Sequence, residues 1–245
     1  MFHRGGVFVD LGAVREAALD ALALLLPVEC AGCGLPDRAV CADCRAALRP
    51  EPSGRRLPDG TPVFSGLDYD GAVRAVILAF KEQGRAELAR VLAPALAAAV
   101  TEAGATIDLR GAEVVAVPGS RRARRRRGFD PVAALVSRAG LDRARVFAAA
   151  RPHAAQKTLS IDERARNLDG AFDVTVAVAG RRFLLVDDVV TTGATLAAAA
   201  AALRSAGAEV VAAAVVASTP KLFGPALTLR TDAVAALRER PVTFP

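Results

Sequence analysis

Large rings and histidines are scarce in this 245-residue sequence, which has no tryptophan, one tyrosine and two histidines. With aromatic residues at only 4% of the sequence, the core must be built mainly from Ala, Val and Leu. The same scarcity argues against a base-stacking platform for single-stranded nucleic acid, and it leaves few candidates for a general base. The length suits one full α/β domain with a small appendage.

No apolar run near the N-terminus is long enough to cross a bilayer. The longest stretch there, residues 21–28, follows Glu16 and Asp20 and contains Pro27, and no small-residue cleavage site comes after it. Apolar residues between 14 and 25 recur instead at helical spacing, which predicts an amphipathic N-terminal helix. We therefore expect a cytoplasmic protein that is not inserted in a membrane.

All four cysteines belong to two CxxC pairs that are separated by seven residues. Each CxxC turn can direct two thiolates to one point, and four sulfurs complete a tetrahedral Zn²⁺ shell with no open position. Two disulfides or a redox-active dithiol are the alternatives. A reducing compartment disfavours the disulfides, and the Pro- and Gly-flanked segment lacks a thioredoxin-like strand–helix junction. The spacing predicts a structural zinc ribbon held by Cys30, Cys33, Cys41 and Cys44.

The rest of the chain has the pattern of an α/β domain. Segment 49–62 is rich in Pro and Gly and is interpreted as a linker between a helix and zinc ribbon over 1–48 and a main domain over 63–245. Strands alternate with helices after it, so we expect a mostly parallel sheet flanked by helices. The predicted strands are 63–69, 113–117, 174–178, 182–187 and 209–217, and the predicted helices are 73–84, 88–100 with a kink at Pro94, 131–138 and 194–206.

The most informative segment is LLVDDVVTTGATL, residues 184–196. A buried strand followed by an Ala-rich helix places the turn between them at the carboxyl edge of the sheet. Free amides and the positive dipole end at a helix start suit a phosphate, and Gly193 lets the backbone approach it. Asp187 and Asp188 could hold two vicinal sugar hydroxyls or, through water, Mg²⁺. An exposed turn before a capped helix is the alternative, but the complete string favours the ligand site.

Six arginines lie within seven residues after the predicted strand 113–117 and a Pro-Gly-Ser turn, and their charge equals the net +6 of the chain. They could clamp a pyrophosphate or contact the phosphates of a nucleic acid. A solvated loop in an arginine-biased protein is the third interpretation. We expect the residues nearest the strand, Arg121 and Arg122, to serve the small ligand, and an outside polyanion to be met by Arg124, Arg125, Arg126 and Arg127.

Segment 184–196 closely resembles the 5-phosphoribosyl-1-diphosphate (PRPP) signature of the type I phosphoribosyltransferases. The resemblance implies that the two acids contact the ribose hydroxyls, that the threonine-rich turn wraps the 5′-phosphate, and that Mg²⁺ accompanies PRPP. The site it implies consists of Asp187, Asp188, Val189, Val190, Thr191, Thr192, Gly193, Ala194 and Thr195.

The order of motifs over about 22–216 resembles the ComF family. Members of that family join an N-terminal zinc ribbon to a type I phosphoribosyltransferase domain and are linked to natural competence and DNA handling. The resemblance rests on Tyr69-Asp70-Gly71, Lys81, Gly84, Val117-Pro118, Ser120-Arg121-Arg122, Arg127-Gly128-Phe129, Gln156, Asn167 and Gly170-Ala171-Phe172. Asp130 stands where the family usually has Asn, and His153 where it usually has Thr. PRPP, single-stranded DNA and DNA-uptake or recombination proteins are the partners that it implies.

A transferase of this type would displace Mg²⁺-pyrophosphate from C1 of PRPP by a nitrogenous nucleophile. Asp187 and Asp188 could stabilise positive charge on the ribose, while Lys81, Arg121 and Arg122 meet the leaving group. A lone loop histidine such as His153 could act as a base but is more often a surface residue. A PRPP-sensing or DNA-binding accessory protein in competence, DNA uptake or repair is the alternative, because a fold and a binding motif do not fix a reaction.

Overall fold

A computed structural model describes residues 28–119, 125–148 and 172–219. The predicted N-terminal helix lies outside these ranges. So do four of the candidate site residues, Arg121, Arg122, Arg124 and His153.

Within the described ranges, six strands form one sheet. They are Ser53–Arg56 (β1), Pro62–Asp68 (β2), Ala112–Ala116 (β3), Arg143–Ala144 (β4), Arg182–Val190 (β5) and Glu209–Ser218 (β6). Their order is β1-β2-β6-β5-β3-β4, and all neighbours are parallel except β1 and β2. The two central strands are apolar along most of their length, as strands covered on both faces must be. The predicted α/β class with a mostly parallel sheet is confirmed.

Helices cover both faces of this sheet. They are Ala42–Ala47 (α1), Gly71–Glu82 (α2), Ala89–Thr106 (α3), Pro131–Arg138 (α4) and Ala194–Ser205 (α5), with a 3₁₀ turn at Ala86–Leu88. Leu184 and Val186 of β5 face one buried cluster together with α2, α3 and α4, whereas Phe183 and Leu185 face a second cluster with α5. The alternation follows the two-residue period of a strand and gives the molecule two apolar layers around the central strands.

Helix α3 is longer than the predicted helix 88–100 and is not divided at Pro94. Residues 86–106 are also long and apolar enough, by length and composition alone, to span a membrane. In this fold Leu92, Leu96 and Ala99 are fully buried and belong to the cluster that α3 shares with the sheet. The apolarity of α3 therefore serves the core of the domain.

Two expectations about secondary structure are wrong. Segment 49–62 contains β1, whose sequence Ser-Gly-Arg-Arg has no apolar alternation but forms a ladder with β2. Segment 174–178 is not a strand, because its pairing with the rest of the described residues consists of an isolated bridge between Val174 and Phe147 and a hydrogen bond from the Thr175 amide to the Val146 carbonyl. Val176, in the middle of that segment, is 45% exposed.

Gly66 is required where β2 crosses α3. A Cβ atom at this position would lie 2.0 Å from the carbonyl oxygen of Ala95, so the two backbones could not keep their distance. We expect Gly66→Ala to lower the free energy of unfolding by about 1–3 kcal/mol or more, as overpacking does. Gly104→Ala in α3 is the matched control. Its Cβ would meet Leu109 at a comfortable 3.6 Å, so helix propensity should make the change stabilising by up to about 1 kcal/mol. Urea unfolding of both variants measures the difference, and a loss of similar size in both would contradict the close approach.

Candidate functional site

The turn between β5 and α5 lies at the carboxyl edge of the two central strands. Gly193 precedes the first residue of α5 with a φ of 78°, in the left-handed region that suits glycine. It has no side chain to cap the helix, and the Ala194 amide donates only a long hydrogen bond of 3.4 Å to Thr192 Oγ1, so this helix start suits an anion. Thr191, Thr192 and Thr195 are exposed beside it. A backbone hydrogen bond stabilises the start of this turn: the Thr219 amide, just after β6, donates to the Val190 carbonyl at 3.1 Å.

Two adjacent carboxylates precede this turn in different environments. Asp188 is 6% exposed and accepts a hydrogen bond from Lys81 Nζ at 2.8 Å and one from the Val189 amide at 2.7 Å. Asp187 is half-buried and accepts a bond from the Asp188 amide at 2.8 Å. Lys81 comes from the last turn of α2, so the fold joins residues 107 positions apart in sequence.

The surroundings shift the pKa values of Asp187 and Lys81. Desolvation of the Asp187 carboxyl group, the nearby negative charge of Asp188 and that of Asp130 raise the pKa of Asp187 well above the ordinary carboxyl range. Burial alone would lower the pKa of Lys81, but the charge and the hydrogen bond of Asp188, together with the charge of Asp187, outweigh it and raise that pKa. Lys81 and Asp188 form an ion pair, and the raised pKa of Asp187 favours its protonated form in the folded protein.

The basic segment after β3 is only partly available to an external ligand. Arg125 and Arg126 are exposed, but Arg126 and Arg127 both pair with Glu82 at the end of α2, the second at 2.8 Å. The Arg127 side chain is 12% exposed, so an outside polyanion could reach little of it. Neither composition nor spacing pointed to Glu82, because its role depends on contacts between distant segments.

Asp130, the departure from the family pattern, has a structural role. Its side chain accepts a hydrogen bond from the Ala133 amide at 3.1 Å and so caps α4. It also lies 3.9 Å from Arg143, which offsets part of its charge.

The four cysteines converge on one point, with all four sulfurs within 4.8 Å of one another and no disulfide among them. Tetrahedral Zn²⁺ with Zn–S bonds of 2.3 Å would require sulfurs about 3.8 Å apart. The sulfur atoms of Cys33 and Cys41 lie 3.7 Å apart. The Cys41 amide donates a hydrogen bond to Cys30 Sγ at 3.3 Å. Cys30, Cys33, Cys41 and Cys44 therefore fit a closed zinc site without large rearrangement.

The cysteine segment packs directly on α2. Cys30, Cys41 and Cys44 lie in the same buried cluster as Val73 and Phe80 of that helix. A Cβ at Gly32 would lie 2.5 Å from Cys44 Sγ and 3.4 Å from the Cβ of Ala72.

Arg85, just after α2, also contacts the cysteine segment. It donates to the carbonyls of Glu29 and Ala39 at 2.9 and 3.4 Å. One helix thus contacts the cysteine cluster and supplies the lysine of the acid pair.

Comparison with known proteins shows what the chain is similar to. The chain is similar to the solved structure of an orotate phosphoribosyltransferase from Aeropyrum pernix, at 20% identity over 71% of this chain and 76% of that one, with a TM-score of 0.32. It is also similar to a phosphoribosyltransferase from Corynebacterium diphtheriae, at 20% identity over 58% and 85% of the two chains, with a TM-score of 0.32. No curated protein matches the sequence. The family model of the phosphoribosyl transferase domain matches residues 125–233, which include β5, its turn and α5. Residues 125–233 are thus similar to a phosphoribosyl transferase domain.

The cysteine geometry predicts one Zn²⁺ per chain. Gly32→Ala is expected to reduce the zinc content, because the new methyl group would collide with the Cys44 sulfur, whereas Gly104→Ala should leave it unchanged. Elemental analysis of the purified proteins measures the metal. Hydrogen exchange over residues 71–82 should rise when Gly32 is replaced, since α2 loses its packing partner. A chain without zinc, or one that binds iron with a redox spectrum, would contradict the assignment.

The raised pKa of Asp187 predicts that this residue lowers stability as the pH rises. The folded state keeps the proton above the ordinary carboxyl pKa of about 3.9 while the unfolded chain releases it, so the folded state loses stability from there up to the raised pKa. Asp187→Asn should therefore unfold at a higher temperature than the unchanged chain, by a margin that grows from pH 5 to pH 8. Each kcal/mol would shift the midpoint by roughly 2–4 °C.

Asp188→Asn is the isosteric control for this effect. It leaves the half-buried Lys81 ammonium group without its partner and should be destabilising. If the unfolding midpoints of the unchanged chain and of Asp187→Asn depended on pH in the same way, the pKa of Asp187 would not be raised by folding.

Proposed function

We propose that this protein binds PRPP with Mg²⁺ and transfers its phosphoribosyl group to a nitrogenous acceptor. The observation that carries the proposal is the acid pair placed directly before the Gly193 turn, inside the segment that matches a phosphoribosyltransferase domain. A phosphate suits the free amides of α5, and vicinal hydroxyls suit adjacent carboxylates. PRPP presents both groups on one sugar.

The residues of the site have separate roles in this proposal. Amides 193–195 and the threonine hydroxyls bind the 5′-phosphate, and Asp187 and Asp188 hold the ribose hydroxyls. The acid pair is also where Mg²⁺ would be held, through water, and the metal would neutralise charge on the diphosphate. Asp187 loses its proton on binding, so affinity should increase with pH over the range in which it titrates.

The transfer breaks the bond between C1 and the diphosphate oxygen and forms a bond from C1 to the acceptor nitrogen. Positive charge develops on the ribose, where the carboxylates of Asp187 and Asp188 can stabilise it. Negative charge develops on the diphosphate and is met by Lys81, whose raised pKa keeps it cationic. Arg121 and Arg122 are proposed to assist from the segment after β3.

The finer assignment is a ComF-type protein with a structural zinc ribbon in the cytoplasm. Its support is the combination in one chain of a zinc-competent cysteine cluster and a phosphoribosyltransferase domain. The non-catalytic alternative, a PRPP-sensing or DNA-binding accessory protein in competence, DNA uptake or repair, is favoured by one observation. Arg126 keeps 65% of its side chain exposed, next to the exposed Arg125. Sequence-independent binding of single strands that weakens with salt would support it.

Titration calorimetry with PRPP and Mg²⁺ tests the site. We expect Asp188→Asn and Gly193→Val to weaken binding by about tenfold or more, since a charge-assisted contact contributes roughly 1.5–3 kcal/mol and valine is strained at a φ of 78°. Gly104→Ala serves as the control with unchanged affinity. Failure of the folded, unchanged chain to bind PRPP would refute the proposal. Pyrophosphate release with a panel of nucleobases then separates the transferase from a sensor.

A further inference from the structure

The hairpin of β1 and β2, part of which the sequence predicts to be a linker, is tied to helix α5. Arg204, in the last turn of α5, donates to Asp59 Oδ2 and to Thr61 Oγ1 at 2.8 Å each. Both partners belong to the loop between β1 and β2. Leu57, in the same loop, is buried in the cluster that α5 shares with the sheet. The hairpin therefore contacts the end of α5 that lies away from the Gly193 turn.

Arg55 of β1 contacts the chain near the other end of α5. Its side chain is 17% exposed, and one terminal nitrogen donates to the Thr219 carbonyl at 3.0 Å. The other terminal nitrogen lies 3.9 Å from Asp68 Oδ1 at the end of β2. Arg55 also lines a small cavity together with Val190, the last residue of β5. An arginine of the edge strand thus lies at the carboxyl ends of three parallel strands, β2, β6 and β5.

Thr219 connects Arg55 to the turn before α5. The Thr219 amide donates to the Val190 carbonyl at 3.1 Å, and its hydroxyl group donates to the Thr191 carbonyl at 3.4 Å. These two carbonyls belong to the residues that open the turn. The carbonyl of Thr219 accepts the hydrogen bond from Arg55, which is charge-assisted and therefore stronger than a bond between neutral groups. Loss of the arginine would give Thr219, and with it the start of the turn, more freedom to move.

A chain of three hydroxyl groups makes a second connection between β1 and the end of β6. Ser65 Oγ lies 3.0 Å from Ser53 Oγ and 3.0 Å from Ser218 Oγ. Ser65 and Ser218 are buried, where a hydroxyl group without a hydrogen-bond partner would be costly. The chain therefore fixes β1 relative to Ser218, the residue directly before Thr219. With that position fixed, Arg55 can reach the Thr219 carbonyl without a search among many side-chain conformations.

We propose that Arg55 is a positioning residue for the 5′-phosphate of PRPP, and that it acts through the Thr219 carbonyl on the turn between β5 and α5. The inference rests on the proposed function and extends it to the edge strand of the sheet. A turn that binds a phosphate through backbone amides must hold those amides in one arrangement before the ligand arrives. Otherwise the free energy of ordering them offsets part of the binding free energy.

Binding of three ligands to the full-length protein with Mg²⁺ tests the proposal. PRPP and ribose 5-phosphate carry the 5′-phosphate and pyrophosphate lacks it; the two smaller ligands are measured by competition against PRPP. Arg55→Gln is expected to weaken PRPP and ribose 5-phosphate by about fivefold each and pyrophosphate by less than about twofold. Arg56→Gln is the matched control, because it removes the same charge from the next residue of β1, whose side chain donates to the Gly60 carbonyl of its own hairpin. It should change all three affinities by less than about twofold.

Two further variants and one further measurement separate positioning of the turn from general stability. Arg55→Lys keeps a charged donor for the Thr219 carbonyl and should recover part of the lost affinity for ribose 5-phosphate. Asp68→Asn removes the long ion pair of Arg55 but keeps its bond to Thr219, so the affinity should change by less than about twofold. In the ligand-free protein, hydrogen exchange of amides 191–195 should be faster in Arg55→Gln than in Arg56→Gln.

Four results would overturn the proposal. Equal losses of all three ligands in Arg55→Gln would show that Arg55 supports the fold as a whole and not the turn. A loss in Asp68→Asn as large as that in Arg55→Gln would assign the effect to the ion pair and not to Thr219. PRPP binding of equal strength by the unchanged chain and by Arg55→Gln would remove this inference alone. If the unchanged chain did not bind PRPP, the proposed function would fail and this inference with it.

Discussion

The ion pair between Lys81 and Asp188 is the contact on which the site depends. Asp188 is almost fully buried, and an unpaired carboxylate in that position would cost several kcal/mol. Lys81 removes that cost only if α2 stays in place, since its Nζ must remain 2.8 Å from the carboxylate. The position of α2 is fixed in turn by the cysteine segment on one side and by the basic segment on the other. The acid pair, the cysteines and the arginines are therefore all connected through contacts with α2.

Asp187, in contrast to Asp188, lies in surroundings that disfavour its charged form. It has no cationic partner of its own among the ion pairs of the described residues, and the charge of Asp188 opposes its ionisation. Asp187 is half-buried, and an acid at this position suits a ligand that uses the carboxylate. Functional sites commonly keep such locally unfavourable groups, and stability is lower there than packing alone would allow.

The sequence was most predictive where local pattern and tertiary environment agree. The apolar run of β5, the glycine before α5 and the helix at Pro131–Arg138 are each specified within a few residues, and the structure has them at nearly the predicted bounds. β1 was missed because Ser-Gly-Arg-Arg is held by its ladder to β2 and by an Arg55 bond to the Thr219 carbonyl, which lies 164 residues away. Glu82 was missed for the same reason, since its partners lie 44 and 45 residues further along the chain. At 174–178 a strand was predicted and the structure has none, because apolar alternation forms a strand only where a neighbouring strand offers a full ladder of hydrogen bonds.

The position of the cysteines changes how their metal should be understood. A ribbon connected only by a flexible linker would stabilise itself and leave the rest of the chain unaffected. Here the cysteine segment shares a buried cluster with α2, and β1 joins the connecting segment to the main sheet. Metal-binding free energy in such a site is folding free energy, so a metal held there would stabilise a segment that packs on the helix that carries Lys81.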